Sequence, residues 1–214
     1  MNIAHLCARI SALAYAEDPQ PGLKMLGFDL LKKYDRNGTQ AILATDYAVV
    51  ILAFRGTEEI KDLRADVRYV KCDFPGGGRV YGGFYEALMQ VWDEIAEDLD
   101  DLAYPKIFTG HSLGAGLSVM AMVKWPPREA HVFGCPKVGN ADFVRRIQRP
   151  LTRYENWFDV VTWLPPANSP RQAIHAWSQG RTPTLYRHAG VKVATPGFGH
   201  FIRRYVAATA KLDR

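Results

Sequence analysis

Cysteine is scarce in this chain: Cys7, Cys72 and Cys135 are the only three among 214 residues. An odd, scattered trio builds neither a disulfide framework nor a cysteine-based metal cluster, so a buried core has to hold the fold. Long apolar runs are also missing. The longest falls far short of the roughly 18 residues that a membrane-spanning helix requires. The first twenty residues read as helical but have no basic leader region, and no small-residue cleavage site follows a continuous apolar stretch. That pattern argues against a secretory signal peptide, and a cytoplasmic location is expected over a secreted one. Acidic side chains are few in the second half. Residues 124–214 carry 15 basic and 5 acidic groups, against 12 and 17 in residues 1–123. The arginines are spread over several segments without a nucleic-acid-binding motif, so the basic half reads as solvated surface and no nucleic acid partner is expected.

What is present fits one globular unit. A chain of 214 residues can bury a sizeable core, and no repeat, low-complexity tract or linker interrupts it. Residues 1–214 are therefore expected to form a single domain. Asn2 can cap a helix whose apolar face is Ile3, Leu6, Ile10 and Leu13. Phe28–Tyr34 and Thr39–Ala44 read as strands joined by a tight turn at Asp35-Arg36-Asn37-Gly38. Tyr47–Phe54 is a nearly all-apolar run of the kind buried on both faces of a sheet. Cys72–Val80, with Pro75 and three glycines, reads as loop. Phe84 to Leu102 is a helix with Phe84, Leu88, Val91, Trp92, Ile95, Leu99 and Leu102 on one side. Further on, Ala130–Gly134 and Leu151–Trp157 read as strands, and Asn140 as the cap of a helix reaching about Arg149. Leu185–Ala194 reads as a last hairpin and His200–Lys211 as a closing helix. Strands alternating with helices predict an α/β fold with a mostly parallel sheet covered on both faces.

The most informative stretch is Ile107–Gly116. An apolar run behind Pro105 ends at Gly110, and a helical run opens at Leu113, with Gly110-His111-Ser112-Leu113-Gly114 between them. A strand that reverses at once into a helix leaves no room beside the turn, so glycines flank a strained serine whose hydroxyl emerges at the positive end of the helix. Chance yields a bare G-x-S-x-G in roughly a few per cent of chains with so few serines, and the strand–turn–helix setting lowers that further.

A serine nucleophile needs a base, and the base needs an orienting acid. In elbow proteins the chain order is serine, acid, histidine. The acids after Ser112 are Glu129, Asp142, Glu155, Asp159 and Asp213. Asp213 follows every histidine, Glu129 sits in a loop, Asp142 suits the first turn of a helix, and Glu155 is inside a strand. Asp159 alone lies just past a strand end, where sheet-edge sites are built. The base is His175, His188 or His200: His175 falls in a turn-rich segment and His188 within a hairpin, both readable as surface, so pattern gives a modest edge to His200 at the opening of the final helix. His111 points away from the hydroxyl in this geometry and reads as a packing or hydrogen-bonding residue. The oxyanion needs donors: the backbone N–H of Leu113 at the helix start, and Thr57 at an early strand-to-loop turn.

Several separated motifs together resemble the class-three lipase family, the fungal triacylglycerol lipase-like branch of the α/β-hydrolases. They are Ala53-Phe54-Arg55-Gly56-Thr57, Val80-Tyr81-Gly82-Gly83-Phe84, the elbow itself, Gly134-Cys135-Pro136-Lys137-Val138-Gly139-Asn140, Asp159-Val160-Val161 running to Leu164-Pro165-Pro166, and Gly199-His200 ahead of Tyr205. The resemblance implies an α/β-hydrolase fold, ester hydrolysis without metal or organic cofactor, a triad of Ser112, Asp159 and His200, and oxyanion donors at Thr57 and Leu113. It also implies a lid just after the oxyanion turn, here Glu58, Glu59, Ile60, Lys61, Asp62, Leu63, Arg64, Ala65, Asp66 and Val67, through which an ester or lipid substrate and a lipid–water interface would be met. The chain departs from the pattern at Tyr81, where a histidine is usual, and at Ala115, where a second glycine is common. Rival functions are an acyltransferase or thioesterase on the same triad, and a catalytically silent binding module.

Overall fold

Asn37 and Gly38 set the first corner of the sheet. Both take left-handed backbone angles, φ 49° and 81°, as a two-residue hairpin loop of this kind demands. They join β1 (Asp29–Arg36) to β2 (Thr39–Thr45), with Arg36 opposite Thr39. The structure is a computed structural model and describes residues 1–57, 71–164, 178 and 185–212. After β2 come β3 (Val50–Phe54), the small pair β4 (Lys71–Asp73) and β5 (Arg79–Tyr81), then β6 (Lys106–His111), β7 (Glu129–Phe133), β8 (Leu151–Trp157) and β9 (Val191–Phe198). Seven of them form one sheet in the order β1-β2-β3-β6-β7-β8-β9. β1, β2 and β3 pair antiparallel, and from β3 onward every neighbour is parallel.

Parallel strands need crossover helices, and these cover the sheet. Among the described residues the α-helices are α1 (Ile3–Leu13), α2 (Gln20–Lys24), α3 (Gly82–Asp100), α4 (Leu113–Lys124), α5 (Ala141–Val144) and α6 (Ile202–Thr209). Along β3 the side chains alternate between two cores. Leu52 and Phe54 pack with Phe84, Leu88, Val91, Ile95 and Leu99 of α3 and with α4. Ile51 and Ala53 pack on the opposite face with α1 and with Tyr205 of α6. Each fully buried Leu, Ile or Phe contributes about 1.5–3 kcal/mol of transfer free energy, so both layers are needed.

Four local expectations are corrected. The buried stripe of α1 is Ala4, Cys7, Ala8, Ile10 and Ser11, whereas Ile3 is exposed and Leu6 and Leu13 are half-buried. Small side chains let the helix lie close on the sheet, where Ser11 bonds Thr109 across 2.9 Å. The stretch read as loop at Cys72–Val80 carries most of the β4–β5 hairpin, turned by left-handed Gly76, Gly77 and Gly78. Asn140 does cap a helix, accepting from the Phe143 N–H at 3.0 Å, but α5 ends at Val144. The segment read as a hairpin at Leu185–Ala194 instead leads into β9, which runs parallel to β8, while Arg187 bridges to Gly139. An apolar strand pattern says which face is buried and nothing about which strand pairs with it.

All the parallel strands end at one edge. β3 delivers Arg55-Gly56-Thr57 there, β6 delivers Ser112, β7 delivers Gly134, β8 delivers Asp159 and β9 delivers His200. In an open α/β sheet this carboxyl edge is where sites are built.

Candidate active site

Ser112 stands between β6 and α4 with φ 58° and ψ −124°, a conformation that a non-glycine residue holds only when its surroundings enforce it. The enforcement is visible. A Cβ on Gly110 would lie 2.4 Å from the Gly114 carbonyl oxygen, and one on Gly114 would lie 2.2 Å from the Phe54 carbonyl oxygen. The flanking glycines are what let β6, α4 and the end of β3 converge. The Ser112 N–H donates to the Phe133 carbonyl at 3.0 Å, fixing the turn to β7. Gly56 closes over it, since a Cβ there would meet the Ser112 Cβ at 3.0 Å. The half-buried Thr57 follows directly.

Asp159 and His200 meet. His200 Nδ1 lies 2.8 Å from both carboxylate oxygens of Asp159. Asp159 is further held by the Val161 N–H at 3.0 Å and by the Tyr205 hydroxyl at 2.5 Å. Burial alone would raise its pKa, but hydrogen bonds and charge from His200, with help from Tyr205 and Val161, hold it below the ordinary carboxylate value. A carboxylate that accepts at Nδ1 requires the proton there, which leaves Nε2 with its lone pair. That Nε2 is buried and has no hydrogen-bond partner among the described residues, and no hydrogen bond joins it to Ser112.

A second imidazole lies against the first. The rings of His111 and His200 are 4.5 Å apart at their centroids. His111 Nε2 faces the His200 carbonyl oxygen at 2.5 Å, and Nδ1 faces the Tyr15 hydroxyl at 2.8 Å. A carbonyl only accepts, so Nε2 carries the proton and Nδ1 accepts from Tyr15. Burial, then the nearby His200, lowers the His111 pKa to about 3. The His111 ring, tilted 32° to that of His200, is therefore neutral, its one proton held on Nε2 toward the His200 carbonyl.

Asn156 completes the frame. Its N–H donates to the Tyr205 hydroxyl at 3.1 Å, its side chain donates to the Gly199 carbonyl at 3.0 Å, and it accepts from Thr195 at 2.6 Å. The roles of Tyr15, Asn156 and Tyr205 at this edge escape the sequence reading. Only Tyr205 leaves a trace there, as part of a motif.

The other acids and histidines are committed elsewhere. Glu155 is buried in ion pairs with Arg153 and Lys192, Glu129 pairs with His131, and Asp142 with Arg145. His188 Nε2 is 2.8 Å from the Thr162 carbonyl, behind the Asp159 turn. His175 and the segment read as a lid, Glu58–Val67, lie outside the described residues. Among the described residues no group of three or more His, Cys, Asp or Glu is arranged to hold a metal ion, and no helix is long and apolar enough to cross a membrane.

Comparison with known proteins points the same way. The model of the family described as Lipase (class 3) matches residues 51–169. The secreted mono- and diacylglycerol lipase A of Penicillium cyclopium is 29% identical over 144 residues, which is 59% of this chain and 47% of that protein. The lipase of Rhizopus oryzae is 28% identical over 152 residues, 62% of this chain and 38% of its own. The chain thus spans about half the length, or less, of these curated relatives. The solved complex of Rhizomucor miehei lipase with its propeptide superposes with a TM-score of 0.74 at 23% identity, covering 90% of this chain and 67% of that one. A triacylglycerol lipase described as having a serine-protease triad at its catalytic centre gives 0.72 at 23% identity, with coverage of 89% and 78%. The fold is that of these α/β-hydrolases. The expectation of a cytoplasmic location is overturned, because relatives from Penicillium and Malassezia are named as secreted. Few cysteines are no guide to compartment when two well-filled cores stabilise the fold without disulfides.

Proposed function

The chain belongs to the class 3 lipase family, and from that premise we propose that it is a serine hydrolase of acyl esters, acting on lipid esters of the glyceride kind outside the cell. The observation that carries this reading is the His200 imidazole, held by Asp159 at Nδ1 and without a hydrogen-bond partner at Nε2 among the described residues, on the sheet edge that also bears Ser112. Ser112 Oγ attacks the ester carbonyl while His200 Nε2 takes its proton. Asp159 keeps the ring in the right tautomer and stabilises the imidazolium. The oxyanion is received by the Leu113 N–H at the start of α4 and by Thr57. His200 then returns the proton to the leaving alcohol, and water, deprotonated by the same nitrogen, releases the acid from the acyl-enzyme. The neutral, buried His111 supports this path by leaving the proton to its neighbour.

The test is Ser112→Ala. The variant should lose p-nitrophenyl ester hydrolysis and fluorophosphonate labelling while its circular dichroism matches the parent. Retained turnover would remove Ser112 from the mechanism, and a parent that never labels would identify a silent module.

A further inference from the structure

The two turns that aim Asp159 and His200 inward aim aromatic rings outward. Trp157 is 65% exposed, Phe158 64%, Phe198 60% and Phe201 54%. These four belong together. Trp157 and Phe198 are partners across β8 and β9, and the Gly199 N–H donates to the Trp157 carbonyl at 2.7 Å. The Phe158 and Phe198 rings lie 5.2 Å apart. Phe158 holds φ 55°, a costly angle for an aromatic residue, and the turn it makes buries Asp159 while presenting its own ring to solvent. The Arg203 and Arg204 guanidinium carbons sit 5.5 and 5.4 Å from the centre of the Phe201 ring, and Arg204 also donates to the Phe198 carbonyl. Scattered exposed apolar residues are ordinary; a contiguous aromatic group rimmed by guanidinium is not.

We propose that Trp157, Phe158, Phe198 and Phe201, with Arg203 and Arg204, form a docking surface for an anionic lipid–water interface. Aromatic rings settle at the boundary between headgroups and acyl chains, and arginines meet anionic headgroups beside them. Charge selects this occupant over a second copy of the chain. Residues 185–212 carry five basic side chains and no acidic one, so a self-interface would bring like charges together. The surface flanks both members of the carboxylate–imidazole pair, so docking would bring the proposed ester-hydrolysing site to its substrate. The proposal rests on that reading for its purpose, but its test does not depend on turnover.

Binding to vesicles is measured by sedimentation with the full-length Ser112→Ala protein, so hydrolysis cannot alter the lipid. Vesicles of phosphatidylcholine alone are compared with vesicles containing phosphatidylglycerol. The parent should prefer the anionic vesicles, and the preference should shrink as salt rises. Phe198→Ser with Phe201→Ser should weaken partitioning about tenfold or more, and Arg203→Ser about fivefold on anionic vesicles only. Circular dichroism checks that each variant folds, and Ile60→Ser with Leu63→Ser serves as the comparison at the other segment. The proposal is overturned if patch variants bind like the parent, if only the Ile60 and Leu63 pair matters, or if sedimentation equilibrium shows a dimer that the patch variants dissociate. Failure of the hydrolase reading is seen separately, as absent ester turnover in the wild-type protein.

Discussion

At the residue scale the site depends on how closely β7 passes the carboxylate–imidazole pair. Gly134 follows β7 in a left-handed conformation, φ 57°, and a Cβ there would lie 2.7 Å from Asp159 Oδ2 and 2.9 Å from His200 Nδ1. One methyl group would thus intrude on both partners at once and also strain the backbone. Gly134→Ala is expected to reduce kcat by about 10²-fold or more through misplacement of the imidazole, since ångström-scale errors carry that cost. KM for a soluble ester should change far less, and the protein should remain folded. Unchanged kcat would mean that the pair tolerates displacement and that its tight geometry is not what the reaction needs. The identity of such residues was partly legible in advance. Ser112 announces itself because turn chemistry is local: two glycines and a helix start lie within five residues. Asp159 could be reached by elimination and strand-end position. Pattern alone gives His200 only a modest edge over His175 and His188, because it is the parallel pairing of β9 with β8 that brings Gly199-His200 beside Asp159, and that pairing is non-local.

At the scale of elements, α1 shows why a helix can be found and its buried face still misread. Periodicity located Ile3–Leu13 and its Asn2 cap, which accepts from the His5 N–H at 2.6 Å. A hydrophobic pattern selects Ile3, Leu6, Ile10 and Leu13 as the inner face, yet of these only Ile10 joins Ala4, Cys7 and Ala8 as a buried member of the core. A hydrophobic count rewards size, whereas close helix–sheet approach rewards smallness. The same blindness explains Tyr15: its bond to His111 exists only because α1 lies flat enough to place the next turn against the elbow. Enlarging the stripe tests this. Ala8→Leu inserts three heavy atoms at a fully buried position, an overpacking that typically costs about 1–3 kcal/mol. For a chain of this size the melting temperature should fall by roughly 2–4 °C per kcal/mol. The displacement should also reach the site, because α1 packs on α6, where Asn2 Nδ2 donates to the Thr209 carbonyl at 3.2 Å and Tyr205 holds Asp159. Ester turnover is therefore expected to drop together with stability. A variant that loses stability but keeps full kcat at low temperature would show that α1 and the site are mechanically independent.

At the scale of the whole molecule, three buried imidazoles among the described residues bear on the response to acid. Burial lowers the pKa of His111 to about 3, with the adjacent His200 adding to the effect. His188 is lowered to about 4 by burial and then by Arg153. His131 is lowered by burial, against the opposing pull of Glu129. In the unfolded chain each ring would take a proton near pH 6.5. Between that pH and the folded values, the unfolded state binds more protons than the folded state, so stability is full above about pH 6.5 and is lost as pH falls. Asp159, lowered in the fold, adds to the loss only below the ordinary carboxylate range. The window from pH 7 to pH 5 therefore belongs to the histidines. The protons taken up by His111 and His188 on unfolding amount to roughly 3–4 kcal/mol across it, with His131 acting in the same direction, a large part of the 5–15 kcal/mol by which domains are usually stable. The urea midpoint of the wild-type protein should accordingly fall steeply from pH 7 to pH 5, with the m-value unchanged. His111→Gln should flatten the slope by about one proton even where its absolute stability is lower, because the removed ring no longer titrates in either state. A urea midpoint that stays level down to pH 5 would mean these rings are protonated in the fold, contrary to a neutral His111 that accepts from Tyr15 at Nδ1.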